Sequence, residues 1–392
     1  MDRRKFLKTT TAVAGACAAA DLARGAFPCR LLKTGAVCLA APSSSADSGP
    51  ASGVLEARYY EKLADKEIRC DLCPRECRVG DQERGYCGVR ENRGGTYYTL
   101  VYGQPCAVHV DPVEKKPFFH FHPASKAFSI ATAGCNMNCK YCQNWDISQV
   151  RPEQVRSQTL SPRECAARAR EAGCLCISYT YAEPVVFLEY MYDTAGEARR
   201  AGVKNTMVSA GFVKEKPLTD LLERLDAVKI DLKAFSESFY KEICRGRLDP
   251  VLRSLALIRR KGVWLEIVYL VLPALNDGEK EIRALCRWVR SELGAEVPVH
   301  FSRFFPTYLM KNLPPTPVDT LERIHAIAKA EGLLFPYLGN VPGHPAESTY
   351  CPGCGARLIQ RSGFNVRIEG LKSGRCSGCG REIPGVWDTM QA

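Results

Sequence analysis

The sequence predicts an α/β protein with a parallel sheet, flanked before and after by small cysteine-rich metal modules. Six β-type stretches alternate with helical segments between residues 128 and 331, the order that builds a parallel sheet with right-handed crossovers. Eleven of the 20 cysteines fall into three close groups. Cys70, Cys73, Cys77 and Cys87 precede the sheet. Cys135, Cys139 and Cys142 follow its first strand, and Cys351, Cys354, Cys376 and Cys379 lie behind it. Steps of C-x2-C and C-x3-C are metal-ligand spacing, with disulfides the other reading of the two outer groups.

Residues 1–53 read as a signal and a linker. Asp2-Arg3-Arg4-Lys5-Phe6-Leu7-Lys8 and the small apolar run Thr11 to Ala20 resemble a twin-arginine export signal. An ordinary basic amphipathic start is the alternative. Ala, Pro, Ser and Gly fill residues 40–53, the composition of a disordered linker. Residues 54–123 are expected to form an N-terminal cysteine-rich module with strands. Leu55, Tyr59 and Leu63 share one face of an expected short helix over 54–66. The segment from Cys70 to Cys87 carries too little apolar surface to order itself. Zinc or an auxiliary Fe–S cluster is therefore its expected organiser. Tyr97, Tyr98, Leu100, Val101, Val108 and Val110 then alternate in strand fashion over 96–111.

Residues 124–345 hold the β/α units. The expected strands are 128–133, 176–181, 205–211, 227–232, 264–272 and 298–305. The expected helices are 162–173, 185–201, 217–224, 237–243, 250–261, 279–293 and 318–331. Residues 346–392 read as a zinc-ribbon-like tail. Two C-x2-C knuckles separated by 21 residues close a four-thiolate site. Leu358, Ile359, Phe364, Val366 and Ile368 suffice for a β-hairpin but not for a free-standing core. One structural zinc should supply the tail's folding energy, and the barrel should stand without it.

Composition narrows the function classes. Charged residues at 25% and hydrophobic ones at 46% describe a globular chain. The net charge is +11, of which residues 1–50 supply +4. The rest is too dilute for a nucleic-acid footprint. No run of 18 apolar residues predicts a membrane span.

The chemistry centres on Gly134-Cys135-Asn136-Met137-Asn138-Cys139-Lys140-Tyr141-Cys142. Three thiolates leave a four-iron cluster one ligand short. One iron then has an open position for a small molecule. The loop leaves the end of a strand, where α/β barrels place their chemistry. A zinc loop or a buried cysteine cluster is the plainer reading. The run resembles the radical S-adenosylmethionine (radical SAM) superfamily, in which Tyr141 fits the aromatic residue that precedes the third cysteine. The resemblance implies a partial (β/α)6 TIM-like barrel. It also implies a [4Fe–4S] cluster on Cys135, Cys139 and Cys142, whose open iron is chelated by S-adenosylmethionine (SAM).

Strand ends supply the remaining candidates. Glu183-Pro184 matches part of a Gly-Gly-Glu-Pro-like turn in pyruvate formate-lyase-activating enzymes, which holds the SAM amino group. The glycines are missing here. Ser209 ends the third strand, in a run where activating enzymes more often carry Asn at the Ala210 position. Asp231-Leu232-Lys233 is highly similar to the activase triplet whose Asp and Lys approach the methionyl carboxylate and ribose. Asp231 and Lys233 alternate to one side of the strand, and an inward ion pair is costly unless it binds something. In the sixth strand either His300 or Arg303 takes the place of an activase histidine. Tyr141, Glu183, Ser209, Asp231, Lys233 and Arg303 are thus the expected cofactor contacts. His109, His120 and His122 either line the site or cover its lower face.

Four runs carry a finer resemblance: Cys70 to Cys77, Arg84 to Asn92, Pro112 to Phe121, and Cys142 to Ser148. Together they are similar to the radical SAM member of the AmmeMemoRadiSam system, within the pyruvate formate-lyase-activating-enzyme-like family. The resemblance implies an oxidoreductase that cleaves SAM reductively. A 5′-deoxyadenosyl radical then abstracts hydrogen from a protein glycine, a peptide, a tRNA base or a metabolite. It implies a flavodoxin- or ferredoxin-type electron donor, with AMMECR-type and Memo-type proteins as partners. The alternative function is a non-catalytic metal-binding adaptor whose zinc or Fe–S modules contact protein or nucleic acid. The export-like signal and the cytoplasmic supply of SAM point to different compartments.

Overall fold

The computed structural model describes residues 53–387. The twin-arginine-like segment and nearly all of the linker lie outside them. An eight-stranded sheet organises the centre, in the order β14-β13-β12-β11-β10-β9-β8-β7. The six expected strands are β8 (Lys126–Ala131), β9 (Cys176–Tyr179), β10 (Lys204–Ser209), β11 (Ala227–Asp231), β12 (Trp264–Val271) and β13 (Val299–Arg303). All six run parallel.

Two strands extend the expected set. β14 (Pro336–Gly339) adds a parallel edge beside β13. Its four residues begin with proline, which an edge strand tolerates because no ladder hydrogen bond is lost there. β7 (Ala107–Pro112) pairs antiparallel with β8. The sheet is therefore open, with helices α2 (Pro162–Glu171), α3 (Leu188–Arg200), α4 (Glu215–Leu222), α6 (Leu248–Arg260), α7 (Glu279–Trp288) and α8 (Val318–Ala330) as its crossovers. α2 starts with a capping box in which Ser161 accepts from Glu164 N. Single-turn helices α1 (Trp145–Ser148) and α5 (Glu237–Phe239) sit in the loops after β8 and β11, and α5 continues as a π turn over Tyr240–Cys244.

The expected helix over 54–66 is not formed. Residues 53–62 instead hold β1 (Gly53–Glu56) and β2 (Tyr60–Lys62), and Tyr59, Asp65 and Lys66 have positive φ. β1 pairs with β6 (Thr96–Tyr102) and β2 with β3 (Ile68–Cys70). Partner strands override an apolar spacing that fits a helix almost as well. β4 (Arg78–Val79) completes one small sheet and β5 (Arg90–Arg93) the other. The buried Arg90 guanidinium joins this module to α3 through Glu189 at 2.5 Å.

The tail consists of β15 (Thr349–Tyr350), β16 (Arg357–Ser362) and β17 (Asn365–Ile368), with a two-stranded ribbon after them. It does not hang free. Leu358, Ile359, Leu371, Ile383 and Trp387 form one core with Phe119, Phe335 and Tyr337. Buried Arg361 donates to Phe119 O and Thr349 Oγ1 at 2.7 Å each.

Candidate active site

A cavity of about 750 Å³ opens at the carboxyl ends of the parallel strands. Cys135, Cys139 and Cys142 line it, and the loop that carries them is stitched down by its backbone. Asn138 N and Lys140 N donate to Cys244 O and Ile243 O at 3.0 Å, and Gly134 N donates to Ile147 O at 2.9 Å. Gly134 has φ +92°, and a Cβ there would lie 2.7 Å from Cys87 O. Only glycine lets the N-terminal module approach the loop this closely.

Burial raises the Cys135 and Cys142 thiols. The hydrogen bond that Cys139 gives to Cys244, and then burial, raise Cys139. Three thiolates, Cys139 buried and Cys135 and Cys142 partly so, need a cation to compensate them. Their sulfurs do not gather within 4.8 Å as a ligand group. Among the described residues only the tail cysteines do. A single zinc draws its thiolates to about 3.8 Å of one another, from a Zn–S bond of about 2.3 Å. Thiolates on different irons of a cluster stand farther apart, which the wider spacing of the loop allows, and three of them leave one iron open.

Glu183, Ser209, Asp231, Lys233 and Tyr141 all line the same cavity. Asp231 lies between two ammonium groups. Lys233 Nζ is 2.8 Å from Asp231 Oδ2, and Lys229 Nζ bonds the other oxygen. Burial alone would raise the Asp231 carboxyl, but the two lysines hold it well below the usual range. The expected ion pair is thus a triad. Lys229 obeys the alternation that places Asp231 and Lys233.

Glu183 and Ser209 are already bound to each other. Ser209 Oγ donates to Glu183 Oε1 at 2.6 Å, and Ala210 N donates to Oε2 at 2.8 Å. Burial raises the Glu183 carboxyl against these donors. Its remaining acceptor capacity can face a ligand, whereas the single Ser209 proton is committed to the brace. Tyr141 is buried, with its hydroxyl 3.5 Å from Cys244 Sγ.

Arg303 requires a correction. It does not line the cavity. Its Nε donates to Thr316 O at 2.8 Å, and its guanidinium lies over Phe305. Alternation along β13 turns His300 and Ser302 into the cavity and Arg303 away. His300 Nε2 meets Glu266 Oε2 at 2.7 Å, which leaves its buried Nδ1 without a hydrogen-bond partner among the described residues. None of His109, His120 and His122 lines the cavity. His120 instead bridges Pro384 O at 2.7 Å and Tyr337 Oη at 2.6 Å.

Sequence reasoning missed a second charged group, on the β7 side. Asp111 accepts from buried Lys116 at 2.5 Å, from Lys115 at 2.9 Å and from the Tyr181 hydroxyl. Burial lowers Lys116 to about 8. It also missed the tip of the tail hairpin. Gly363 and Phe364 reach the cavity, and Phe364 is 56% exposed there. The visible signal was the basic Lys115-Lys116-Pro117 run; nothing local marks Phe364.

The model of the radical SAM superfamily matches residues 129–286. An uncharacterized protein of Methanocaldococcus jannaschii is 45% identical over 330 residues, covering 84% of this chain and 98% of that protein. The chain belongs to the radical SAM superfamily. The pyruvate formate-lyase 1-activating enzyme of Escherichia coli K12 is 23% identical over 217 residues, 51% of this chain and 87% of that enzyme. A crystal structure of a radical SAM methyltransferase from Sphaerobacter thermophilus aligns with a TM-score of 0.43 and 15% identity. It covers 74% of this chain and 77% of that one. Membership implies a [4Fe–4S] cluster and SAM, and the radical SAM loop lies within the matched span.

The tail cysteines make a compact second site. Cys351 and Cys379 are 3.6 Å apart, as are Cys354 and Cys376. All eight cysteines of the two outer groups are free thiols in this structure.

Proposed function

We propose that this radical SAM protein cleaves SAM reductively at a cluster held by Cys135, Cys139 and Cys142 and takes hydrogen from a substrate in the same cavity. Bound there, the cluster supplies the electron that splits SAM and gives the 5′-deoxyadenosyl radical. One observation carries the reading: the three thiols and the Lys229–Asp231–Lys233 triad line one cavity. Lys233 is fixed by its backbone, whose N–H donates to Tyr240 Oη at 3.1 Å and whose carbonyl accepts from Asn276 at 2.9 Å. The triad can therefore meet the SAM carboxylate and ribose without reordering. Glu183 is the acceptor for the amino group, and His300 Nδ1 is a further contact at the cavity floor.

The AmmeMemoRadiSam assignment, with AMMECR-type and Memo-type partners, is the finer part of this proposal and rests on the four sequence runs. The tail closes its site with zinc. The spacing of its sulfurs favours a single ion over a cluster.

Anaerobic incubation of the reconstituted protein with SAM and a low-potential reductant tests the proposal. It should yield 5′-deoxyadenosine, and Cys135→Ala/Cys139→Ala/Cys142→Ala should yield none. A cluster spectrum unmoved by SAM, with no cleavage, would leave the metal-binding adaptor as the better reading.

A further inference from the structure

The remaining four-cysteine group sits directly behind the catalytic loop. The turn between β3 and β4 brings Cys70, Cys73 and Cys77 together, with Cys70 N donating to Cys77 O at 2.9 Å. Cys87 arrives on the next turn. There a Cβ at Gly85 would lie 4.0 Å from Cys77 Cβ.

The four sulfurs do not share the tight spacing of the tail sulfurs. A single tetrahedral ion would need that spacing; a four-iron cube takes one thiolate at each corner. Two sites in one molecule thus show the two spacings side by side.

The group is also tied to the catalytic loop. Arg75, between Cys73 and Cys77, donates from Nε to Asn136 O at 2.5 Å and from Nη2 to Arg245 O. Cys87 O lies against Gly134, and Cys87 and Cys135 line a common cavity of about 910 Å³.

We propose that Cys70, Cys73, Cys77 and Cys87 bind a second [4Fe–4S] cluster, which orders the segment that braces the catalytic loop. That the chain holds two clusters rests on the catalytic reading above; the identity of this one does not. Four separated thiolates suit the four corners of such a cluster, and Arg75 and Cys87 carry its ordering to Asn136 and Gly134.

The test is iron, sulfide and zinc content of anaerobically reconstituted full-length protein, with electron paramagnetic resonance after reduction. The wild type should carry about eight irons and one zinc. Cys135→Ala/Cys139→Ala/Cys142→Ala should keep about four irons and a reduced-cluster signal that SAM does not alter. Cys73→Ser/Cys77→Ser should keep about four irons and a signal that SAM does alter. About four irons and two zincs in the wild type would overturn the second cluster and leave the catalytic reading intact. So would a loop variant that holds no iron. If the loop variant keeps a cluster that responds to SAM, the second cluster stands and the catalytic reading falls. Should the Cys73/Cys77 variant fail to fold, the loop variant decides alone, because its N-terminal ligands are untouched.

Discussion

The two outer cysteine modules differ in what surrounds four equivalent ligands. In the tail the four sulfurs gather within 4.8 Å, and Cys354 and Cys379 are exposed. Around Cys70 the sulfurs spread wider, Cys70 and Cys73 are buried, and Arg75 reaches from between the ligands into the catalytic loop. Spacing along the chain marks each group as a candidate metal site. Spacing in space distinguishes one ion from several, and the neighbours determine what its loss would disturb. Neither module is a detached ornament. The tail shares a core with Phe335 and Tyr337 and places Phe364 at the cavity, while the N-terminal module seats Gly134.

Removing the tail ion should have the largest effect. Cys376→Ser should release its zinc and remove folding energy on the order of 10 kcal/mol. Hydrogen exchange should rise across 349–387 and also in β14, whose Tyr337 and Phe335 lie in the tail's core. Unchanged protection in β14 would make the tail as separable as its sequence suggests. Trp387→Ala spares every ligand and empties a buried indole whose Nε1 donates to Ile383 O at 2.8 Å. It should cost about 3–5 kcal/mol with zinc retained. Loss of zinc together with stability would mean that packing, not thiolate geometry, sets the tail's affinity.

Lys233→Ala and Asp231→Ala probe the cavity between the modules. Each should weaken SAM binding roughly 10- to 100-fold while leaving cluster content unchanged, as a charge-assisted contact of about 1.5–3 kcal/mol requires. Equal SAM affinity in both variants, by titration of the cluster spectrum, would reduce the triad to a structural role.

A smaller loss is expected for Arg75→Ala, which removes two bonds at a partly exposed edge. We expect about 1 kcal/mol and faster hydrogen exchange at 136–140, with exchange in the tail unaffected. The opposite pattern would detach the N-terminal module from the loop.

The smallest effect near neutrality concerns His120, which burial lowers from 6.5 to about 4. The folded protein keeps it neutral, so its contribution is present above pH 6.5 and is lost as pH falls toward 4. Its contacts are Pro384 and Tyr337. The tail should therefore loosen before the N-terminal module between pH 6.5 and 5. Tail exchange that is flat over that range would contradict this.

Much of the site was legible because it is local. C-x3-C-x2-C and the Asp231–Lys233 alternation act within one loop and one strand, and both face the cavity. Arg303 was misplaced because residues three apart on a strand point oppositely, and only register shows which one faces in. The 54–66 segment was misread because apolar residues spaced four apart also suit short strands once β6 and β3 supply partners. Lys116 and Phe364 come from segments before and after the parallel strands that converge on the cavity, which no window of sequence contains.

By itself the sequence determined the alternation of six strands and helices, the two outer four-cysteine modules and the three-thiol loop. These follow from periodicity and ligand spacing, which act over a few residues. The tertiary structure alone decided the seventh parallel strand, the docking of the tail, the Lys229 arm of the triad and the seating of Cys87 against Gly134. It also separated a one-ion spacing from a wider one. Such features depend on which distant surfaces bury each other, and burial energy is summed over contacts that the chain order does not record.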